Sequence, residues 1–338
     1  MIRSGVLAGR ARPSPPPWLP IAAALTTVLL WASAFVAIRH VGREISAGPL
    51  ALGRLLVGSA VLGAIAAFRN RARTGRRWPI GRDWVSLLAC GVLWFGLYNV
   101  ALNAAERRID AGTAAMVINV GPLLMALLAG VLLGEGFPRR LLLGSAVAFG
   151  GVLVIGATSS SHSAQGVGVL LCVLAAVSYA IAVVAQKPLL ARLPALEVTW
   201  LACTVGAVCC LPFLPRLISD VGAAAPATVA WVVYLGAFPT ALAFTTWAYA
   251  LSHTTAGRMG ATTYLVPPLV VLIGWLGLGE SPSRLVFAGG ALCLAGVYLA
   301  RRAPRRPPTR QPEIEPGRIG PSPNRGWLPQ TRRSDASR

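Results

Sequence analysis

Arg54 sits seven residues into a run of Ala, Leu, Gly and Val that begins near residue 48. In a helix this is roughly 10 Å of apolar sequence, at about 1.5 Å per residue. A guanidinium at that depth must snorkel to an interface, pair with a carboxylate or face a wet cavity. Facing a cavity, it would hold an anionic group of a solute, with Glu44 and Glu106 as the candidate carboxylate partners. Asn99 and Asn119 also interrupt apolar runs, and their cost in hydrocarbon turns them toward the interior. Tyr98, Tyr179 and Tyr264, with Thr245, Trp247 and Thr263, add rings and hydroxyls suited to an organic solute. This is a chemistry of binding. Bond-breaking chemistry needs His, carboxylate or Ser/Lys groups gathered at one membrane face. His40, His162 and His253 instead fall in separate loops, without a carboxylate pair beside them. Cys90, Cys172, Cys203, Cys209, Cys210 and Cys293 each lie inside an apolar run and form no CxxC pair, so they read as small core residues. No metal and no cofactor is expected.

A second set of residues acts on the backbone. Pro122, preceded by Gly121, falls mid-way through one apolar run, and Pro267-Pro268 mid-way through another. Proline removes the bond to the carbonyl four residues back, freeing Ile118 in the first case and Thr263 and Tyr264 in the second. Lipid cannot satisfy those carbonyls, so each kink either lines a cavity, acts as a hinge or packs statically on a neighbour. Asp110 and Thr255 precede the two proline-bearing runs and suit helix N-caps. Glu135 and Glu280 close them, each followed by an arginine, Arg139 or Arg284, which predicts an interfacial ion pair.

These features recur because the sequence does. Residues 111–156 align without a gap on residues 256–301, 145 positions later, with 13 of 46 pairs identical. Composition alone gives roughly a tenth. Ala111-Gly112 matches Ala256-Gly257, Pro122 matches Pro267, Gly134-Glu135 matches Gly279-Glu280, and Arg139 matches Arg284.

The elements that must position these residues are membrane helices. The chain of 338 residues is 55% hydrophobic and 12% charged, where a soluble protein has about a quarter charged. Its net charge of +20 is not a nucleic-acid signal, because ten of the 31 Lys and Arg lie beyond Ala300 and most others flank apolar runs. Runs of the length that a bilayer about 30 Å thick requires fall at 19–38, 48–68, 84–105, 111–133, 141–158, 166–186, 195–215, 227–250, 256–279 and 284–300. Pro212 and Pro215 blur the end of the seventh. Trp84 and Trp231, near helix ends, read as interfacial belt. With both termini cytoplasmic, the N-terminus and inner loops hold fourteen Lys and Arg against six in the outer loops, decided chiefly by the loop at 69–82.

The expected fold class is thus all-α integral membrane, ten transmembrane helices in two five-helix repeats over 19–158 and 166–301. Five is odd, so the second repeat enters from the opposite side and the repeats are inverted, as alternating access requires. Residues 1–18 and 302–338, the latter rich in Pro and Arg, are expected to be disordered.

At this point a family resemblance is specific. Trp31-Ala32-Ser33-Ala34-Phe35-Val36-Ala37-Ile38-Arg39 resembles the Trp-small-Ser-x-Phe opening of the drug/metabolite transporter superfamily, in particular its EamA-type branch. Arg54-Leu55-Leu56 is similar to that branch's Arg-x-Leu element, and the Ala-Gly…Pro-Leu…Gly-Glu frame, present twice, matches a third. The resemblance covers residues 19–301. It implies a bacterial inner-membrane carrier, often an exporter of amino acids, other small metabolites or toxic compounds. It also implies a central cavity lined by the third, fourth, eighth and ninth spans. By position that favours Tyr98, Asn99, Asn119, Thr245, Trp247, Thr263 and Tyr264, which join Arg54 and Tyr179 as cavity candidates, with Gly121, Pro122, Pro267 and Pro268 as hinge candidates. The expected partners are a small organic solute and the lipid bilayer, with no nucleic acid; a homodimer is compatible with the pattern. A multidrug efflux carrier on the same fold, a channel and a membrane enzyme are the competing readings.

Overall fold

A helix that crosses lipid without a hydrophobic force between neighbours packs through small residues and turns its large apolar ones outward. The first helix does this: Ala24, Val28 and Ala32 are buried while Ile21, Leu25 and Leu29 are exposed. The computed structural model describes residue 16 and residues 18–70, 78–109, 114, 117–156, 166–278 and 284–302. The two tails, Asp110 and Gly279-Glu280 lie outside the described residues.

Among the described residues every regular element is helical. They are α1 (Trp18–Val41), α2 (Ala47–Asn70), α3 (Arg82–Glu106), α4 (Gly121–Leu132), α5 (Arg139–Gly156), α6 (Gly166–Leu189), α7 (Ala195–Cys209), α8 (Leu214–Ala223), α9 (Pro226–Ser252), α10 (Ala256–Thr262), α11 (Val266–Leu278) and α12 (Arg284–Arg301). Five of these, α1, α2, α3, α6 and α9, are long and apolar enough to cross a membrane. A sixth span arises if α7 and the following Leu211–Ala223 count as one, bent by 52°. The bend falls where Pro212 and Pro215 sit. The other four apolar runs of the sequence fall on shorter or interrupted helices. Pro122 does not kink a continuous helix: it stands in the first turn of α4, after a break at Asn119 and Val120. Its missing amide would have been unpaired there in any case. In the matching run a 3₁₀ turn, Thr263–Leu265, separates α10 from α11.

Helix neighbours come in matched sets. α3 packs on α6 and α7, and α9 packs on α1 and α2; α4 packs on α6, and α11 packs on α1. α2 meets α7, α4 meets α10, and α5 meets α12 along its length. The last contact is backbone to backbone. A Cβ on Gly144 would stand 2.4 Å from the Ala300 nitrogen, and one on Gly296 would stand 2.4 Å from the Ala148 nitrogen. α3 and α9 each contain a π-helical stretch, Cys90–Tyr98 and Gly236–Leu242.

The ends are tied by carboxylates. Glu44 accepts from the Ala225 amide at 2.7 Å and the Thr228 hydroxyl at 2.7 Å, at the start of α9. Asp220 accepts from Ser46 and Arg216, and Asp83 pairs with Arg192. Thr255 caps α10 as expected, accepting from the Arg258 amide at 3.3 Å. Glu135 departs from the expected ion pair. Its carboxylate reaches across to the amides of Ala256 at 2.7 Å and Gly257 at 3.2 Å, where the unpaired N–H groups of a helix start favour an anion.

Candidate functional site

The two π-helical stretches build the site. A π-turn leaves carbonyls without their usual i+4 partners, and such turns are frequent at functional positions. In α3 the Asn99 amide nitrogen takes two of them, donating to the Trp94 carbonyl at 3.1 Å and to that of Phe95 at 2.9 Å. This leaves the Asn99 Oδ1 buried without a protein partner. In α9 the Thr240 hydroxyl donates to the Leu235 carbonyl at 2.8 Å and accepts from Arg54 Nε at 3.0 Å. Arg54 is 3% exposed, so it does not snorkel. No other hydrogen bond of its guanidinium is formed among the described residues. The close approach of α2 that this requires depends on Gly236, where a Cβ would fall 2.5 Å from Val57 Cβ.

Arg54 and Asn99 line a cavity of about 70 Å³ between α1, α2, α3, α4, α6 and α9. Tyr98, Asn119, Tyr179 and Thr263 line it too, as does Pro122. The remaining wall is aromatic. Trp31, Phe35, Trp94 and Phe244 face the space, with Trp94 and Phe244 centroids 4.8 Å apart and Trp94 and Tyr179 5.2 Å apart. A cleft with one buried cation, a few amide and hydroxyl groups and a broad aromatic wall has the make-up of a small-molecule site.

A second recess adjoins the first and shares Ile38 with it. Arg39, Arg43, Asn103, Glu106 and Arg107 line it. Both carboxylate oxygens of Glu106 are buried without a hydrogen-bond partner. Of the two carboxylates that the sequence offered to Arg54, Glu44 is committed to α9, and Glu106 feels Arg54 through space without forming an ion pair.

Six proposed cavity or hinge residues stand off the wall rather than on it. Trp247 is fully buried with its ring 5.0 Å from Trp31. Tyr264 sits on the α5 and α12 side, 6.4 Å from Phe149. Thr245 donates to its own helix at the Ala241 carbonyl. Gly121 makes room for Tyr179, since a Cβ there would lie 2.9 Å from that ring. Pro267 and Pro268 start α11 and are likewise off the cavity wall. Thr240 and the aromatic wall residues Trp31, Phe35, Trp94 and Phe244 had no place among the candidates. Only Trp31 and Phe35 carried a signal, in the Trp-small-Ser-x-Phe stretch.

The model of the EamA-like transporter family matches residues 18–157 and matches again over residues 166–302. The chain belongs to the EamA-like transporter family. This EamA-like protein is 39% identical over 280 residues to a Streptantibioticus cattleyicolor protein named "Probable terminal-alkyne amino-acid exporter", covering 83% of this chain and 92% of the relative. It is 31% identical over 268 residues to the Bacillus subtilis transporter YdfC, covering 79% and 86%. An Archaeoglobus fulgidus transporter is 29% identical over 276 residues, covering 82% and 96%. A solved crystal structure shares the fold with a TM-score of 0.68 at 22% identity, over 83% of this chain and 96% of that one. The EamA-like chain is thus a multi-pass membrane transporter, in the drug/metabolite transporter superfamily that its motifs resemble.

Proposed function

We propose that this transporter exports small organic metabolites, amino acids or related compounds, by alternating access between two inverted five-helix repeats, 19–158 and 166–301. The cavity carries the reading: Arg54 offers a fixed cation to a carboxylate, beside an aromatic wall for an apolar side chain. The name of the Streptantibioticus relative supports amino acids as the class. The two family matches, the paired π-turns and the matched helix neighbours support a duplicated ten-helix architecture with a pseudo-two-fold axis in the membrane plane. Pro122 and Pro267, each beside a helix break, are the proposed hinges. The proposed setting is the bacterial inner membrane with both termini cytoplasmic. The breadth of the aromatic wall keeps efflux of toxic apolar compounds as the second reading.

Metabolite profiling of medium and cells, with the chain expressed or absent, tests this. A solute that rises outside while falling inside, and that then shows saturable counterflow in liposomes, meets the expectation. Counterflow distinguishes a carrier from a channel. Accumulation of amino acids inside the cells on expression would overturn export.

A further inference from the structure

We infer that Arg54 and Glu106 are the two ends of a clamp for a zwitterion, Arg54 taking the carboxylate of an α-amino acid and Glu106 its ammonium group. The inference rests on the amino-acid reading above and adds the group that recognises the amine.

The observation behind it is a pair of opposite charges that ought to meet and do not. Burying an ion without a partner is costly, and four other acidic side chains here avoid that cost, while Glu197 keeps one buried oxygen without a partner. Glu44, Asp83, Glu135 and Asp220 each hold a hydrogen-bond or ion-pair partner. Among the described residues Glu106 alone has both carboxylate oxygens buried and unpaired. Arg54 is held by Nε alone, which leaves its two terminal nitrogens for a ligand. A zwitterion placed between them would satisfy both charges.

Glu106 is also the end of a row of acceptors. Asn99, Asn103 and Glu106 stand on one face of α3 at i, i+4 and i+7. The Asn103 amide nitrogen is taken by the Ala47 carbonyl at 3.2 Å. The Oδ1 atoms of Asn99 and Asn103 are both buried and unpaired, like the carboxylate. The row runs from the aromatic cavity, where Asn99 lies, into the adjoining recess, where Asn103 and Glu106 lie. The acceptors of the row have no protein donor, and a primary ammonium has three N–H bonds to give. Arg39 on α1 also acts on Glu106 without pairing, and Arg43 and Arg107 line the same recess.

The test is binding of phenylalanine, 3-phenylpropionate and phenethylamine to the purified full chain. These share a ring and carry both charges, the anion alone or the cation alone. The wild type should bind phenylalanine about tenfold or more tightly than either truncated compound, since each lost contact is a hydrogen bond to a charged group. Glu106→Gln should weaken phenylalanine and phenethylamine by a similar factor and leave 3-phenylpropionate unchanged; Arg54→Lys should do the converse. Equal loss for all three compounds in Glu106→Gln would mean a structural role and overturn the clamp. A wild type that holds 3-phenylpropionate as tightly as phenylalanine would overturn the clamp while leaving the transport reading, and needs no variant to fold. Failure to bind any of several aliphatic and aromatic amino acids would overturn the clamp and the amino-acid reading together.

Discussion

Ser59 and Thr204, 145 positions apart, meet side chain to side chain with their oxygens 2.6 Å apart. The same spacing appears where the Cys293 thiol donates to the Ala148 carbonyl at 3.4 Å. The shift is the one that aligns residues 111–156 on 256–301. Under the proposed two-fold axis a residue touches its own counterpart only on the axis, so α2 with α7 and α5 with α12 are the two helix pairs that cross there. A Ser59→Cys, Thr204→Cys double variant should therefore form an internal disulfide under mild oxidation, read by peptide mass mapping. Persistently free thiols at both positions would separate the two helices and remove the axis.

The crossing of α5 and α12 gives a second expectation. Each of Gly144 and Gly296 faces backbone atoms of the other helix, which cannot rotate away as a side chain can. Overpacking of this kind costs about 1–3 kcal/mol. Gly144→Val and Gly296→Val should each lower the melting temperature of the purified protein, because the two sites face one another across the same close approach. Gly150, with no atom within 4 Å of a built Cβ, serves as the control, and Gly150→Ala should leave stability nearly unchanged. A crossing that tolerates valine at both sites would mean the helices are further apart than described.

The sequence made part of the site legible because charge and amide groups are conspicuous in apolar runs. Arg54, Asn99 and Asn119 stood out for that reason, and all three reach the cavity. Phe244 and Trp94 could not be found in the same way. An aromatic residue in a membrane helix can face lipid, core or cavity at similar cost, so only packing decides. The first π-turn was also hidden, since Cys90–Tyr98 carries no proline to announce a change in backbone bonding. Glu106 was visible as a possible partner for Arg54, as Glu44 was, without a signal to separate the two. Whether such a carboxylate is capped, as Glu44 is, or left unpaired depends on the neighbouring helix.

The Thr240 hydroxyl links the second π-turn to Arg54, which makes it a positioning residue. Thr240→Val removes that link while keeping the volume and the charge. Solute affinity should fall severalfold, and less than the roughly tenfold or greater loss expected of Arg54→Ala. Half-saturation constants in liposomes compare the two. In the Arg54→Ala background, Thr240→Val should add little, because the hydroxyl then has no guanidinium to hold. Additive losses would show that Thr240 acts elsewhere.

Pro122 and Pro267 each stand at the start of a helix that follows a break. Alanine restores an amide there and lets the helix extend backward through Asn119 and Val120, or through Thr263–Leu265, which stiffens the joint. If the breaks are hinges, Pro122→Ala and Pro267→Ala should lower initial transport rates severalfold while solute affinity and the amount of protein in the membrane stay near wild type. Affinity loss without a rate effect would assign Pro122, which lines the cavity, to binding instead. Wild-type rates in both variants would reduce the prolines to packing.

Glu44 ties the loop between α1 and α2 to the start of α9, and its two partners hold the carboxyl below the usual carboxylate range: the Ala225 amide first, then the Thr228 hydroxyl. The folded state therefore binds this proton less tightly than the unfolded chain does. The stabilisation is present above the unfolded value and is lost as pH falls through the lowered one. Glu44→Gln should melt below the wild type at neutral pH, and the difference should shrink as the medium is acidified through the carboxylate range. Thr228→Val removes one of the two bonds and should give a smaller version of the same pH dependence. A Glu44→Gln deficit that stays constant across that range would show that the side chain contributes through packing or shape, with its charge playing no part.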